Sequence, residues 1–203
     1  MEALQALGAK AEQNGGGAVS LEARELIGGY VQTGFSVTAT ENLVMAATCA
    51  KGKTVVRLAA AEPHVQELCR FLVRAGAKIK GIGTHDLEIT GVKSLTAPKT
   101  AWRVMPDTIE VGTFAVAAAL THSEIEITGV EPAHLDAILV ALNRVGVKYE
   151  VTRNSLKLKR SGRYDAFKLQ TMIYPGFPTD LQAPFGLLAT QCHGTSLIHD
   201  PLF

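Results

Sequence analysis

The sequence predicts an α/β fold made of repeated βαβαββ units, with helices buried inside and sheets outside. Three observations carry that expectation. The tripeptides Gly8-Ala9-Lys10, Gly76-Ala77-Lys78 and Gly146-Val147-Lys148 each follow an amphipathic run and precede a strand-like segment, at a spacing of roughly 70 residues that suits a repeated supersecondary module. Helical stretches rich in Ala, Leu, Met and Phe recur at 40–50, 109–120 and 181–191, each followed by a polar turn and a β-branched run. Residues 114–120 are apolar nearly all round, so they call for cover on every side, which turns the usual α/β plan inside out.

The elements follow in order. Residues 2–7 have helical apolar spacing but no N-cap before them, as though the helix needed earlier residues. Gly8, like Gly76 and Gly146, suits the left-handed C′ position that ends a helix and turns the chain into a strand. Asn14-Gly15-Gly16-Gly17 lacks the Lys-Ser/Thr and helix of a phosphate loop, and reads as a hairpin turn. After the helix at 40–50 come the strand Thr54-Val55-Val56 and the pair Glu62-Pro63, with proline in the first turn of a second helix. The strands Lys78-Ile79-Lys80 and Leu87-Glu88-Ile89 complete that copy. Residues 94–107, with Pro98 and Pro106 around Trp102, form the linker, and a boundary near Met105 gives domains 1–104 and 105–203. The next copy repeats the plan through Ile125-Glu126-Ile127, Glu131-Pro132 and a helix at 135–145, and a further one begins with the helix at 181–191 and the strand Ser196-Leu197-Ile198. The basic run at 157–163 alternates as a solvated strand face. The chain stops on Pro201-Leu202-Phe203 without a polar tail, so both ends suggest a piece of a longer protein.

Composition narrows the functional classes. With 47% hydrophobic and 19% charged residues the chain is globular, and 20 basic against 19 acidic side chains leave no positive field for nucleic acid or an anionic membrane. No apolar stretch is long enough to cross a bilayer and no secretory n-region opens the chain, so a cytoplasmic location is expected. Cys49, Cys69 and Cys192 are odd in number and widely spaced, which fits reduced, mostly buried thiols better than disulfides or a metal site. The six histidines include no pair at the spacing of a metal site on one helix face, and read as surface or capping residues.

Ser36-Val37-Thr38-Ala39-Thr40-Glu41-Asn42, Glu62-Pro63, Gly76-Ala77-Lys78-Ile79, Gly83-Thr84, Ile89-Thr90-Gly91-Val92, Arg103-Val104-Met105-Pro106-Asp107, Gly112-Thr113-Phe114 and Pro175-Gly176-Phe177-Pro178-Thr179-Asp180-Leu181-Gln182-Ala183 stand in one order along nearly the whole chain. In these segments the sequence resembles the UDP-N-acetylglucosamine 1-carboxyvinyltransferases, relatives of 5-enolpyruvylshikimate-3-phosphate synthase among the enolpyruvyl transferases. The resemblance implies two inside-out α/β barrels of three units each, with substrates held between them. This chain would cover the end of the first and the start of the second. The implied reaction moves enolpyruvyl from phosphoenolpyruvate to the 3′-hydroxyl of UDP-N-acetylglucosamine, at the start of peptidoglycan precursor synthesis, without metal or organic cofactor. The family's cysteine loop and the cations that clamp phosphoenolpyruvate would fall outside residues 1–203, so the chain alone should not turn over. A shikimate-phosphate enzyme and a non-catalytic folding unit remain alternatives.

Candidate residues carry two readings each. Asp180 stands where it could cap the helix at 181–191, and the resemblance makes it the base that takes the acceptor hydroxyl's proton, supported by Thr179. Thr38-Ala39-Thr40-Glu41 matches a capping box, while the resemblance seats the diphosphate on Gly34, Phe35, Ser36 and Val37, where a helix N-terminus offers free N–H groups. Leu202 would contribute a backbone group beside the uracil. Two departures matter. Gly34 stands where some family members carry a basic residue, and Thr38 where the pattern has glycine. Pro184 fits a helix only in its first turn.

Overall fold

The structure, a computed structural model, describes residues 1–13 and 16–202. It divides into two compact units, Met1–Val104 and Met105–Phe203. The first holds α1 (Glu2–Gln5), β1 (Lys10–Gln13), β2 (Val19–Glu22), β3 (Tyr30–Gln32), α2 (Val37–Ala47), β4 (Lys53–Arg57), α3 (Pro63–Arg74), β5 (Lys78–Lys80) and β6 (Asp86–Thr90). The second holds α4 (Thr108–Leu120), β7 (Ile125–Thr128), a 3-10 turn at Pro132–His134, α5 (Asp136–Val145), β8 (Tyr149–Val151), β9 (Ser155–Leu158), β10 (Lys168–Gln170), a 3-10 turn at Thr179–Leu181, α6 (Gln182–Ala189) and β11 (Leu197–His199). Of the hairpin turn expected at 14–17, Asn14 and Gly15 lie outside the described residues. The strands beside it, β1 and β2, pair antiparallel with Gln13 opposite Val19.

The repeat is visible in the strand order. β3 runs parallel to β4, and α2 makes the crossover that a parallel pair requires. β10 runs parallel to β11, with α6 as its crossover. The orders β4-β6-β5 and β7-β9-β8 are the same antiparallel arrangement, each with a helix (α3 or α5) between its first two strands in sequence. Gly8, Gly76 and Gly146 all take positive φ, at 94°, 106° and 89°, where an L side chain would meet its own backbone. The sheets are open, and the result is a mixed α/β architecture.

Each unit has its own core. In the first, the inward residues of β4 and β6 (Val56, Leu87, Ile89) meet Leu43, Val44 and Ala47 of α2 and Cys69 and Leu72 of α3. The second packs Val111, Ala115 and Val116 of α4, Ile138 and Leu142 of α5, Leu156 and Leu158 of β9, and Phe185 and Leu188 of α6. The period-2 alternation that drives these residues inward leaves charge on the other face. There Lys53 meets Glu88 at 2.6 Å and Arg57 meets Asp86 at 2.6 Å.

Four expectations are corrected. The copy that begins at α4 lacks its opening strand, since residues 101–107 are irregular. Residues 94–107 are less of a linker than their prolines suggest. Thr96 N–H donates to the Ala75 carbonyl, and the Trp102 indole N–H donates to Glu67 at 3.0 Å with its ring edge-on to Phe71, so this stretch is strapped to α3. The apolar α4 is not covered all round, because Phe114 is 56% exposed while Ala115 and Val116 are buried. Among its packing partners are α6, the 3-10 turn at Thr179–Leu181, β7 and β9. Of the thiols only Cys69 is buried; Cys49 is exposed and Cys192 half-buried. Burial pushes the Cys69 thiol up to about 11.

The hydrogen bond from Lys53 holds the Glu88 carboxyl below its ordinary value, so its contribution is present above the ordinary carboxylate range and fades as pH falls through the lowered value. Glu88→Gln is expected to lower stability slightly at about pH 7, and the difference from the wild type to shrink as the pH falls into the acid range and the carboxylate is protonated. Urea unfolding of both proteins over a series of pH values from about 7 downward checks the convergence.

Candidate functional site

In the first unit β3 ends at Gln32, and the chain reverses at once through a turn closed by Ser36 N–H donating to the Thr33 carbonyl at 3.0 Å. Both central residues have positive φ: Gly34 at 59° and Phe35 at 61°. Glycine takes this conformation freely, but for phenylalanine it costs on the order of 1–3 kcal/mol. The surroundings hold it there. Phe35 N–H donates to the Leu58 carbonyl at 2.6 Å, and the Phe35 ring stands edge-on to His85 with centroids 5.0 Å apart. His85 Nδ1 is in turn 2.8 Å from the Ala59 carbonyl.

This turn delivers Ser36 in an extended conformation, so α2 starts earlier than the Thr38 capping box allows. Ser36 is the cap, its Oγ accepting from Ala39 N–H at 3.3 Å. Glu41 completes no capping box and lies 3.9 Å from His64 instead. The N–H groups of Val37 and Thr38 meet no acceptor among the described residues, as the first turn of a helix leaves them. Gly34, Ser36 and Thr38 are exposed, and Phe35 and Val37 are half-buried. Four neighbouring residues expected to meet a diphosphate therefore form one turn with outward-facing backbone donors at its helical end.

In the second unit the motif at 175–183 lies between β10 and α6, after the cis Tyr174–Pro175 peptide. Its anchors are Phe177, buried edge-on against Phe185 at 5.0 Å, and Leu181, with 0% exposure. Between them Pro178 and Thr179 are half-buried and Asp180 is exposed. Asp180 is not a helix cap. A 3-10 turn at Thr179–Leu181 precedes α6, so Asp180 sits within that turn and its carboxylate accepts no backbone N–H. Among the described residues that carboxylate has no hydrogen-bond or ion-pair partner and remains free to accept from outside. Pro184 is the third residue of α6, inside the first turn, where its missing N–H costs no helical bond. Leu202 is tied back, its N–H donating to Asp200 Oδ1 at 3.0 Å, and the same oxygen accepts from Thr171 Oγ1 at 2.7 Å. Among the described residues no cluster of three His, Cys, Asp or Glu side chains is placed to hold a metal ion.

The family pattern of EPSP synthase (3-phosphoshikimate 1-carboxyvinyltransferase) matches residues 1–201. The chain belongs to the EPSP synthase family. Among relatives of this EPSP synthase-family chain, the UDP-N-acetylglucosamine 1-carboxyvinyltransferase of Wolinella succinogenes is 43% identical over all of the chain and 48% of that relative. The protein of the same name from Koribacter versatilis is 42% identical over all of the chain and 46% of itself. The one from Helicobacter acinonychis is 44% identical over 83% of the chain and 40% of its own length. The chain thus spans about half the length of the curated relatives it matches. The fold is that of the enolpyruvyl transferase NikO from Streptomyces tendae, with TM-score 0.87 at 21% identity over 98% of the chain and 50% of NikO. EPSP synthase from Acinetobacter baumannii matches with TM-score 0.66 at 19% identity over 97% of the chain and 46% of that structure.

The residues behind these loops carry no local signal in the sequence. Thr33, Thr40 and Thr171 are buried polar residues, each with a hydrogen-bond partner 20 or more positions away in the chain. Gly112 opens the Gly112-Thr113-Phe114 segment. A Cβ there would overlap Leu181 Cδ1 and stand 3.0 Å from its Cδ2, so α4 seats the residue next to Asp180 in a notch that only glycine provides. Gly112→Ala is expected to destabilise the second unit by about 1–3 kcal/mol through overpacking, although alanine has the better helix propensity. Denaturant unfolding monitored by circular dichroism checks the sign: a gain in stability would show that Leu181 moves aside without cost.

Proposed function

We propose that these residues supply the sugar-nucleotide site of an enzyme that transfers enolpyruvyl from phosphoenolpyruvate to the 3′-hydroxyl of UDP-N-acetylglucosamine, opening peptidoglycan precursor synthesis in the cytoplasm. The observation that carries the reading is the 42–44% identity to relatives that bear this activity as their name. The chemistry of the loops agrees with it. An exposed carboxylate such as Asp180, unpartnered among the described residues, can accept a hydroxyl proton while that oxygen attacks C2 of phosphoenolpyruvate and C3 takes a proton from an acid assigned to another segment of the enzyme, and such general base assistance is typically worth about 10² to 10⁴ in rate. Loss of phosphate from C2 and of a proton from C3 of the adduct then gives the enol ether. Thr179 supports the carboxylate by position, Gly34, Phe35, Ser36 and Val37 receive the diphosphate, and Leu202 meets the uracil with its backbone.

On the same reading residues 1–104 belong to a first, diphosphate-contacting domain and residues 105–203 to a second, each part of an inside-out α/β barrel. The match to a family described by 3-phosphoshikimate chemistry favours one other reading, a shikimate-phosphate enzyme. Saturation-transfer NMR with UDP-N-acetylglucosamine and shikimate-3-phosphate separates them: signal from the sugar nucleotide alone is expected. Signal from shikimate-3-phosphate alone would overturn the assignment, and silence from both would favour a non-catalytic folding unit.

Turnover gives a second check. The 203 residues by themselves are expected to release no phosphate from the two substrates, because the cationic donors that clamp phosphoenolpyruvate, worth several kcal/mol in such sites, are assigned to other segments of the enzyme. Phosphate release by the isolated chain that disappears in Asp180→Asn would contradict this division of labour.

A further inference from the structure

Thr33 and Thr171 occupy the same place in the two parallel βαβ pairs. Each is the first residue after the leading strand, β3 or β10. Each donates its backbone N–H to the last residue of the parallel partner strand: Thr33 to the Arg57 carbonyl at 3.2 Å, Thr171 to the His199 carbonyl at 3.1 Å. Each then donates its hydroxyl to the residue that follows that strand: Thr33 to the Leu58 carbonyl at 2.9 Å, Thr171 to Asp200 Oδ1 at 2.7 Å. Both are buried, at 9% and 0% exposure.

What each latch carries is a loop of the proposed site. Leu58 also receives the Phe35 N–H, so the Thr33 latch fixes the crossing segment against which the strained turn rests. Thr40, with 0% exposure, backs it: its Oγ lies 3.0 Å from Thr33 Oγ1 and 2.8 Å from the Ser36 carbonyl, and accepts from Ala60 N–H at 2.9 Å. Asp200 also receives the Leu202 N–H, so the Thr171 latch fixes the Leu202 backbone. A valine would fill the same volume without the cost of burying a hydroxyl, so what threonine adds at these positions is direction.

We propose that Thr33 and Thr171 are positioning residues for the bound sugar nucleotide, Thr33 setting the diphosphate turn and Thr171 setting the Leu202 backbone through Asp200. This rests on the proposed site. The experiment is calorimetric titration of the 203-residue chain with UDP-N-acetylglucosamine, for the wild type and for Thr33→Val, Thr33→Ser, Thr171→Val and Thr171→Ser, each with its Tm. Both valine variants are expected to weaken binding about tenfold, equivalent to about 1.4 kcal/mol. The serine variants, which keep the hydroxyl and lose a methyl, should bind within about threefold of wild type even where their Tm falls. Affinity that follows Tm and not the hydroxyl would overturn the proposal. Should a valine variant fail to fold, Asp200→Ala opens the second latch from its half-buried end, and unchanged affinity there also overturns it. A wild-type chain that binds no sugar nucleotide overturns the site itself, which keeps the two failures distinct.

Discussion

A helix that is apolar on most of its faces can persist in water only when it is pinned behind a sheet, and α2, α4 and α6 are such helices. For α2 and α6 the pinning takes one form. Each links two parallel strands, and a parallel pair cannot be joined without a crossover that lies on the sheet. That geometry fixes where the chain is free to vary. The leading strand must end, turn and enter the helix at one edge, and it is at this edge, beyond the carboxyl ends of parallel strands, that open α/β sheets hold their ligands. Gly34 to Val37 and Thr179 with Asp180 fall in these two equivalent loops, and Leu202 follows the second partner strand.

The equivalence extends to how the loops are held. Neither depends on a charged side chain pointing at a ligand. The first rests on backbone bonds across to Leu58 and on an edge contact between Phe35 and His85. The second hangs between Phe177 and Leu181, two buried anchors with the exposed carboxylate between them. Precision in a site comes from the rigidity of what lies under it, and here the underlying parts are aliphatic and aromatic side chains and the hydroxyls of threonine. The exposed ion pairs on the outer faces of the sheets, Lys53 with Glu88 among them, add little to that rigidity.

Much of the fold was legible because its signals are local. Glycine at C′, β-branched alternation and proline at a helix start each act within a turn or two, and Gly76, Gly146 and Pro63 stand where those rules put them. What failed was also local in appearance but decided from afar. Thr38 has the sequence of a cap, yet Ser36 caps α2 because the turn before it is set by Leu58, more than twenty residues on in the chain. Asp180 stands like a cap, yet the burial of Leu181 against Gly112 tightens the chain into a 3-10 turn around it. Cys49 follows an apolar run and is nonetheless exposed. The candidate residues themselves came from resemblance, since composition and spacing offered only caps.

The two loops then differ in length, and the difference decides their chemistry. The four residues from Thr33 to Ser36 carry no charged side chain, so the first loop presents backbone N–H groups and the partial positive end of α2. The eleven residues from Thr171 to Leu181 allow an anchor at Phe177 and a separate turn, so the second presents a carboxylate that no donor among the described residues satisfies. One scaffold position thus yields a donor surface suited to an anion in one copy and an acceptor suited to a hydroxyl in the other. A repeat can diverge in this way because the latch beneath it, a buried threonine bound to the partner strand, is the same under a loop of four residues and under one of eleven.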